Sequence, residues 1–252
     1  MDGLPIVGEG ATTKIYRDGD RAIKLYRDAD IREVEAEAAR QSYAARQGLP
    51  VPEVYGVRRV GEGIALDMAY IPGWPLMTEG MGHGEVPAAL RILVELQRMV
   101  HACAAGVFPS QRNKLAGDIA GNRCIRNETR QSLLARLDEL CARDAAPPCL
   151  CHGDFHPLNV LYDGATHWIV DWVDATSGSA AADACRTLII FEEYIPGLSS
   201  VYLQLFTEAS GIPETDVLDW RPVVAAARMA ERMDDGNREV LHDIVRQWTQ
   251  TR

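Results

Sequence analysis

The sequence predicts an α+β fold in which a small antiparallel β-sheet lobe with one main helix precedes a larger, mostly helical lobe. Over the first 70 residues, apolar side chains alternate in short segments bounded by turn residues, as is typical of strands. From about residue 85 onward they recur every three or four residues, which indicates helices. Residues 70–75 contain two prolines and one glycine. We therefore expect a hinge there, between lobes at residues 1–70 and 71–252.

The first 26 residues predict a β-hairpin. Residues 14–16 and 22–26 have strand character, and residues 17–20 between them have the composition of a turn. The segment ahead of the first strand carries two glycines and two hydroxyl residues, namely Gly8, Gly10, Thr12 and Thr13. Glycines let backbone N–H groups approach a phosphate closely. A Gly-x-Gly pair also occurs in many ordinary turns, so this segment alone does not define a phosphate site.

The remaining elements follow from periodicity and from glycine and proline positions. A helix over residues 29–47 is predicted to end at Gly48, because two prolines follow it. Residues 54–59 and 63–70 predict a second pair of strands. His101 falls on or near the apolar stripe of the helix that begins near residue 85, so we expect a packed, hydrogen-bonded core histidine. Further helices are predicted around residues 133–141 and over 184–195, 198–210 and 217–250, the last with a break near 234–236. Residues 106–126 predict only a loop or a short helical insertion.

The chemically most informative segment is the loop at residues 149–162, which lies between two short apolar runs. It contributes the carboxylate of Asp154 and, five residues later, the amide of Asn159. A second carboxylate, Asp171, follows at the end of a predicted strand within residues 168–172. Mg²⁺ prefers oxygen ligands and usually binds through one or two carboxylates together with substrate phosphates. The pattern therefore predicts a magnesium–nucleotide site, although Asp and Asn also favour simple turns and helix caps.

This pattern, His152-Gly-Asp154 with Asn159 and a later strand-borne Asp171, resembles the protein-kinase catalytic core. Its wording is closer to the aminoglycoside phosphotransferase and choline kinase family of small-molecule kinases. The resemblance implies a two-lobed protein-kinase-like fold. After Asp171 comes Trp172 rather than Phe-Gly, and no Ala-Pro-Glu follows. The activation segment of a protein kinase is therefore not expected, which favours a small hydroxylated substrate.

The resemblance also implies roles for residues that bind the nucleotide. Lys24 matches the strand lysine that holds the α- and β-phosphates, although a lysine between apolar neighbours usually points to solvent. Such a lysine needs a carboxylate partner on the following helix, and the spacing expected of the family favours Glu37 over Glu35 or Glu33. The adenine edge would bond to backbone groups at the hinge, so the candidates there are Met68 and Tyr70.

The same resemblance implies roles at the reaction centre. Asp154 would act as the base for the attacking hydroxyl, while Asn159 and Asp171 would hold Mg²⁺. His152 and Asp183 would support the loop, Asp183 as a buried carboxylate that accepts backbone N–H bonds. A carboxylate at the start of a helix is also favoured by the helix dipole alone, which gives the same placement.

The function expected is that of an ATP- or GTP-dependent O-phosphotransferase. Its acceptor would be a small hydroxylated molecule such as an aminoglycoside-like compound or an aminoalcohol. Four acidic residues could bind ammonium groups of such an acceptor, although each, taken singly, is better explained as a solvated surface charge: Asp174, Glu192, Glu193 and Glu231. Two alternatives are a catalytically silent nucleotide-binding module (a pseudokinase) and a protein kinase.

Composition excludes several other classes. The net charge of −10 argues against nucleic acid as a partner, since such binding relies on clustered Lys and Arg. The 252 residues contain no run of eighteen apolar residues, and the N-terminus lacks signal-peptide features, so a cytoplasmic protein that does not bind membranes is expected. The six cysteines lack framework spacing and predict buried, reduced thiols. A structural zinc site at Cys149-x-Cys151-His152 is disfavoured because it lacks a fourth ligand. Both a monomer and a homodimer remain open.

Overall fold

The computed structural model describes residues 3–10, 13–78, 80–82, 84–106, 108–231 and 235–251. The chain divides into two compact units. The first contains Met1–His83 and Pro157–Asp174, and the second contains Gly84–His156 and Ala175–Arg252. The division expected from the sequence ended the first lobe at residue 70 and kept the rest of the chain together. By contacts, residues 71–83 and 157–174 group with the first unit, because they form a small sheet of their own there.

The first unit is built on a five-stranded antiparallel sheet with the order β1-β2-β3-β5-β4. A tight turn with a left-handed Gly19 joins the second and third strands, as the sequence predicts. The strand pairs predicted at 14–26 and 54–70 are both confirmed. The bounds are β1 (Ile6–Glu9), β2 (Thr13–Asp18), β3 (Arg21–Tyr26), β4 (Val54–Val60) and β5 (Gly63–Ala69).

One helix, α1 (Ile31–Arg46), packs on this sheet and confirms the helix predicted there. Its first turn is fixed by a capping box. The Asp30 side chain accepts the N–H of Arg32, and the Glu33 side chain accepts the N–H of Asp30. Its apolar face joins a buried cluster formed with the sheet, made of Tyr26, Val34, Ala38, Ile64 and Leu66. The helix is therefore held by packing on one side of the sheet, with its N-terminus set by local hydrogen bonds.

Five short strands complete the β structure: β6 (Trp74–Pro75), β7 (Cys149–Cys151), β8 (Val160–Tyr162), β9 (His167–Ile169) and β10 (Thr176–Gly178). In the first unit, β6, β8 and β9 form a three-stranded sheet in that order. In the second unit, β10 pairs with β7 in antiparallel fashion. The strand expected before Asp171 is therefore present as β9.

The second unit is mainly helical. Its elements are α2 (Val86–His101), α3 (Gln111–Gly121), α4 (Asn127–Arg143), α5 (Ala180–Tyr194), α6 (Ser199–Ser210), α7 (Glu214–Leu218), α8 (Arg221–Arg228) and α9 (Asp235–Gln250). The residues 106–126 are not simply irregular, since they include α3. The helical stretch predicted over 217–250, with one break near 234–236, is divided differently: α7 ends at Leu218, α8 covers Arg221–Arg228, and α9 begins at Asp235. Of the expected break, residue 234 lies outside the described residues, whereas residues 235 and 236 belong to α9.

Large apolar side chains from several helices of the second unit are fully buried, among them Leu90, Leu93, Tyr202, Phe206 and Val223. They come from α2, α6 and α8, so each of these three helices has a buried apolar face. Within the described residues, the helices are too short or too polar to cross a membrane.

The cysteines are free thiols, but their burial differs. Cys151 and Cys185 are buried, whereas Cys124 is exposed and the other three are half-buried. The expectation that all six are buried is therefore wrong, since the surroundings of each thiol depend on its helix or loop face.

Candidate active site

Lys24 is the centre of a buried charge cluster in the first unit. It lies on β3, opposite Ile15 and Leu66 on the neighbouring strands, and is only 5% exposed. Its Nζ lies 2.8 Å from Glu37 Oε1 and 2.9 Å from Asp171 Oδ1. Burial by itself lowers the pKa of Lys24, but the two carboxylates outweigh burial and raise that pKa above its ordinary value. Lys24 is therefore a fixed cation, and it does not point to solvent.

The three glutamates considered as partners of Lys24 have different surroundings. Glu33 belongs to the capping box, Glu35 is exposed, and Glu37 lies on the buried face of α1. The second carboxylate oxygen of Glu37 accepts the hydroxyl of Tyr26. Because both of its oxygens have donors, Glu37 is held in one orientation and in turn fixes the ammonium of Lys24.

Asn159 and Asp171 lie at the same end of the β8–β9 hairpin. Val160 pairs with Ile169. One residue farther from the hairpin turn, the N–H of Val170 donates to the carbonyl of Asn159 at 3.0 Å. Asp171 then follows with a φ of 66°, the only left-handed backbone among the described residues other than glycines. This conformation is costly for a residue with a Cβ, and it often occurs at functional positions.

The donor atoms of this hairpin end suit a hard divalent cation. Asn159 contributes an amide oxygen and Asp171 a carboxylate, both of which Mg²⁺ accepts. The Asp171 side chain is 43% exposed although one of its oxygens is bonded to Lys24. It can therefore reach an ion from solvent while Lys24 holds its orientation. These residues fit Mg²⁺ by chemistry.

The described part of the glycine-containing segment includes the end of β1 and the start of β2. The N–H of Gly10 donates to the carbonyl of Thr13 at 2.9 Å, and Gly8 pairs with Ile15. A Cβ on Gly10 would lie 2.9 Å from Thr13 Oγ1, closer than side chains normally approach. A larger residue at position 10 would therefore require the Thr13 side chain to shift. Thr12, the other hydroxyl candidate, lies outside the described residues.

Met68 and Tyr70, the two candidates for adenine binding, already use backbone groups within the first unit. Met68 lies in β5 between β3 and β4, where it pairs with Ala22 and Val54. The N–H of Tyr70 donates to the carbonyl of Asp20 at 2.9 Å. This arrangement does not favour Met68 as a partner for a base, and leaves Tyr70 only its carbonyl as an acceptor.

In the second unit, the segment around His152 supports the backbone of Asp154. Gly153 has a φ of 82°, which a glycine adopts without strain. His152 is fully buried, and its Nδ1 lies 3.3 Å from the N–H of Asp154. The same ring contacts the edge of Phe155 with centroids 5.4 Å apart. The His152 ring thus supports the loop backbone through its packing against Phe155 and its hydrogen bond with Asp154.

Asp183, in the first turn of α5, anchors the same segment. It accepts the N–H of Gly153 at 2.8 Å and that of His152 at 3.4 Å. Its Oδ2 also lies 2.8 Å from Nε2 of His101, which is thereby confirmed as a packed, hydrogen-bonded core histidine. Burial alone would raise the pKa of Asp183, but His101 and the N–H donors hold it below its ordinary value.

The carboxylate of Asp154 is surrounded by nitrogen donors. His156 Nε2 lies 3.3 Å from Oδ2, Arg186 Nη2 lies 3.4 Å from Oδ1, and Arg228 Nη1 lies 4.0 Å from Oδ1. Burial would raise the pKa of Asp154, but His156 and the two arginines hold it well below its usual range. The carboxylate is therefore ionised at neutral pH and suited to accept a hydrogen bond, while being a weak base.

Three of the four acids expected to bind an acceptor are already paired with arginines. Glu192 lies 2.8 Å from Arg221, and Glu231 lies 2.7 Å from Arg186. Glu193 accepts a short hydrogen bond from Nε of Arg228 and has a fully buried side chain. These three are not solvated surface charges, and an ammonium group would have to compete with a guanidinium for them. Asp174, the fourth, is partly buried in the first unit.

Sequence reasoning missed the two arginines beside Asp154. Arg186 follows Asp183 by three residues and lies on the same helix face, so helical spacing was a signal that could have placed it near the loop. Arg228 lies 74 positions beyond Asp154 at the end of α8, and the sequence carries no local signal for it.

Comparison with known proteins identifies relatives over most of the chain. A sequence model of the phosphotransferase enzyme family matches residues 5–239. An aminoglycoside 3'-phosphotransferase of Streptomyces ribosidificus is 29% identical over 204 residues, which cover 73% of this chain and 75% of that protein. One of Streptomyces fradiae is 28% identical over 206 residues, with the same coverages of 73% and 75%.

Solved structures agree in fold. A thermostable mutant of aminoglycoside phosphotransferase APH(4)-Ia superposes with a TM-score of 0.69 at 17% identity, covering 97% of this chain and 94% of that one. The same enzyme in a ternary complex with AMP-PNP and hygromycin B gives a TM-score of 0.68 at 17% identity, with coverages of 98% and 94%. The streptomycin complex of APH(3'')-Id from Streptomyces rimosus, which also holds ADP, gives 0.65 at 22% identity, with coverages of 88% and 92%.

Proposed function

Because the chain belongs to the phosphotransferase enzyme family, we propose that it transfers the γ-phosphate of ATP or GTP to a hydroxyl group of a small molecule. The observation that carries this proposal is the buried Lys24, held 2.8 Å from Glu37 and 2.9 Å from Asp171. A lysine fixed by a helix glutamate is the arrangement that kinases use to bind nucleotide phosphates. The supporting facts are the two relatives named as aminoglycoside 3'-phosphotransferases.

Asp154 is proposed to orient the attacking hydroxyl and to accept its proton. An ionised carboxylate with a low pKa is a weak base, but in a loose transition state the hydroxyl loses its proton late, when it has become acidic. Asp154 therefore needs to be ionised and correctly placed rather than strongly basic. Its low pKa and the bond from Gly153 to Asp183, which holds the backbone beside it, support this proposal.

Asn159 and Asp171 are proposed to hold Mg²⁺, which would neutralise phosphate charge when bound. Lys24 adds positive charge to the triphosphate and keeps Asp171 in place. The N-terminal glycine turn, with Gly8, Gly10 and Thr13, is proposed to cover phosphates through backbone N–H groups. Thr12 stays in this proposal on its sequence position alone.

The proposed acceptor is a small hydroxylated compound, with amino sugars and aminoalcohols as the first classes to test. The names of the two relatives support amino sugars. The acids Glu192, Glu193 and Glu231 would meet ammonium groups only by sharing them with arginines. Asp174 also lies near an arginine, because its charge interacts with that of Arg40.

The experiment is a transfer screen with labelled ATP and GTP and Mg²⁺. Acceptors would include hygromycin B, streptomycin, ethanolamine and a neutral sugar. We expect magnesium-dependent phosphate transfer to at least one of them, reduced about 10²–10⁴-fold in Asp154→Asn. The control is the unfolding midpoint of Asp154→Asn, which should show a folded protein.

Two results would replace the proposal. Nucleotide binding without turnover on every acceptor and on water would identify a catalytically silent nucleotide-binding module. Labelled phosphate appearing on protein substrates rather than on small molecules would identify a protein kinase.

A further inference from the structure

One face of α5 grips the loop that carries Asp154. Asp183 accepts the N–H of Gly153 at 2.8 Å, and Thr187 Oγ1 donates to the carbonyl of Phe155 at 2.8 Å. Asp183 and Thr187 are four residues apart, so they lie on the same face of the helix. The two bonds fix the backbone on either side of Asp154.

Arg186 lies on the same face of α5 and contacts the side chain of Asp154, the residue between Gly153 and Phe155. Its Nη2 lies 3.4 Å from Asp154 Oδ1. The guanidinium is itself held by Glu231, with Nη1 at 2.7 Å from Oε1 and Nη2 at 3.2 Å from Oε2. A planar guanidinium bound through two nitrogens to one carboxylate has a fixed orientation, unlike the point charge of a lysine. The Arg186 side chain is 11% exposed, so solvent screens these contacts weakly.

A second arginine, Arg228, completes the group of charged side chains that we call the Asp154 cluster: Asp154, Arg186, Glu193, Arg228 and Glu231. Arg228 Nη1 lies 3.2 Å from Glu231 Oε2 and 4.0 Å from Asp154 Oδ1, while its Nε donates to the buried Glu193. Glu231 therefore bridges two guanidiniums, and Glu193 holds the second of them from behind. The nearer cation to Asp154 is Arg186, and its orientation is set by Glu231.

We propose that Arg186, oriented by Glu231, is a positioning residue that holds the carboxylate of Asp154 in the orientation needed to receive the attacking hydroxyl. The inference rests on the proposed role of Asp154 in phosphate transfer. Arg186 acts through Asp154, so its loss should change the rate of transfer and leave nucleotide binding in the other unit alone. In this arrangement α5 fixes three successive loop residues, Gly153 and Phe155 by their backbone groups and Asp154 by its side chain.

The test measures steady-state turnover of Mg·ATP with the acceptor found in the screen, or with water as the acceptor if none is found. We expect Arg186→Gln to lower kcat about tenfold to a hundredfold, the usual effect of losing a charge-assisted hydrogen bond to a reacting group. The KM for ATP should stay within about twofold, because uniform nucleotide binding is untouched.

Arg221→Gln is the matched control. Arg221 lies on α8 and binds Glu192 of α5 at 2.8 and 2.9 Å. Its loss also leaves a carboxylate on α5 without its guanidinium, but at a carboxylate outside the Asp154 cluster. We expect a kcat within about twofold of the unsubstituted protein, since only packing and one ion pair are affected.

A double variant separates positioning from structural support. In Arg186→Gln the carboxylate of Glu231 loses a partner, and that alone could disturb the fold. Arg186→Gln with Glu231→Gln removes this charge. If Arg186 were only structural, the double variant would recover the original kcat. We expect instead that kcat stays low, because the contact with Asp154 is still missing.

The results also distinguish this inference from the proposed function. If Asp154→Asn abolishes turnover while Arg186→Gln retains the full kcat, the positioning role is overturned and the proposed function stands. Recovery of kcat in the double variant overturns it as well. If Asp154→Asn turns over as fast as the unsubstituted protein, or if that protein shows no turnover, the proposed function fails and this inference fails with it.

Discussion

The two units differ in how they surround a charged side chain of the candidate site. In the first unit a cation, Lys24, lies 2.8 and 2.9 Å from two carboxylates and is 5% exposed. In the second unit a carboxylate, Asp154, lies 3.4 and 4.0 Å from two guanidiniums, with a side chain that is 28% exposed. The two contacts of Lys24 are shorter than those of Asp154, and Lys24 is more deeply buried than Asp154.

Lys24 is thus held by close partners on a buried strand, whereas the carboxylate of Asp154 stays partly accessible to solvent. Lys24 faces two carboxylates, and one of them, Asp171, has a side chain that is 43% exposed, so Asp171 can attract a further cation. The nitrogen donors around Asp154 keep its carboxylate ionised, and the Asp154 side chain remains 28% exposed. An oxygen that remains accessible can still accept a hydroxyl proton. We therefore expect substitution of Lys24 to lower the free energy of unfolding more than substitution of Asp154 does.

The largest expected loss of stability is that of Lys24→Met. Removing the ammonium leaves Glu37, which is 2% exposed, without its counter-charge, and unpaired buried charges of this kind cost about 3–5 kcal/mol. Urea unfolding measures the loss. Lys14→Met on β2 is the control, because Lys14 pairs with an exposed Glu9 at 3.1 Å. If Lys24→Met lowered the free energy of unfolding as little as Lys14→Met, the account of Lys24 as a buried, closely paired cation would be refuted.

Asp183→Ala is expected to rank second, with a loss of about 2–3 kcal/mol, because it leaves the buried N–H of Gly153 and the ring of His101 without an acceptor. Asp138→Ala serves as the control, since its partner Arg112 is exposed. The pKa of Asp183 is depressed in the folded state. Its contribution to stability is therefore complete above the unfolded pKa of about 4 and is lost as the pH falls through the lower, folded pKa.

Acid unfolding followed by circular dichroism checks that sign. Asp183→Ala should lose its stability difference from the unsubstituted protein as the pH falls below about 4, where both forms lack the carboxylate contribution. A difference that grows toward acid pH would contradict the depressed pKa.

Gly153→Ala is expected to cost about 1–2 kcal/mol, because the φ of 82° is strained for a residue with a Cβ. It should also lower the transfer rate, since Asp154 follows directly. Gly117→Ala in α3 gives the opposite sign: its surroundings leave open space for a methyl group, and alanine in a helix is favoured by about 0.5–1 kcal/mol. Thermal unfolding of both variants decides; equal shifts in one direction would disprove the backbone argument.

The smallest effect concerns the hydroxyl that fixes Glu37. Tyr26→Phe removes the O–H donor and should cost about 1 kcal/mol, as a typical buried hydrogen bond does. Tyr55→Phe is the comparison, since Tyr55 is 45% exposed. Should the two substitutions shift the urea midpoint equally, the tight holding of Glu37 would be disproved.

Much of the first unit could be predicted because its signals are local. The hairpin at residues 14–26 follows from alternation and a glycine turn, and the choice of Glu37 over Glu35 follows from the spacing that the resemblance implies. The resemblance to the aminoglycoside phosphotransferase and choline kinase family is confirmed, since the family model covers residues 5–239 and the solved structures share the α+β, kinase-like fold. Local periodicity and a motif of a few residues were enough for these.

The parts that could not be predicted depend on distant contacts or on weak helix formers. The helix α3 contains Gly117 and Gly121, and its buried side is marked by little more than Leu115 and Ile119, so the pattern was too sparse to identify. The acids near the C-terminus were assigned to a cationic acceptor by their charge alone. A sequence does not reveal that an arginine far along the chain already binds each of them.

The most direct test of the central claim is phosphorus NMR of a mixture of Mg·ATP and the best acceptor from the screen, with and without Asp154→Asn. The account predicts a new phosphate-ester signal that grows as the γ-phosphate signal falls, and its absence with Asp154→Asn. An ester signal that forms equally fast in Asp154→Asn, or loss of ATP with no ester for any hydroxyl compound, would contradict it.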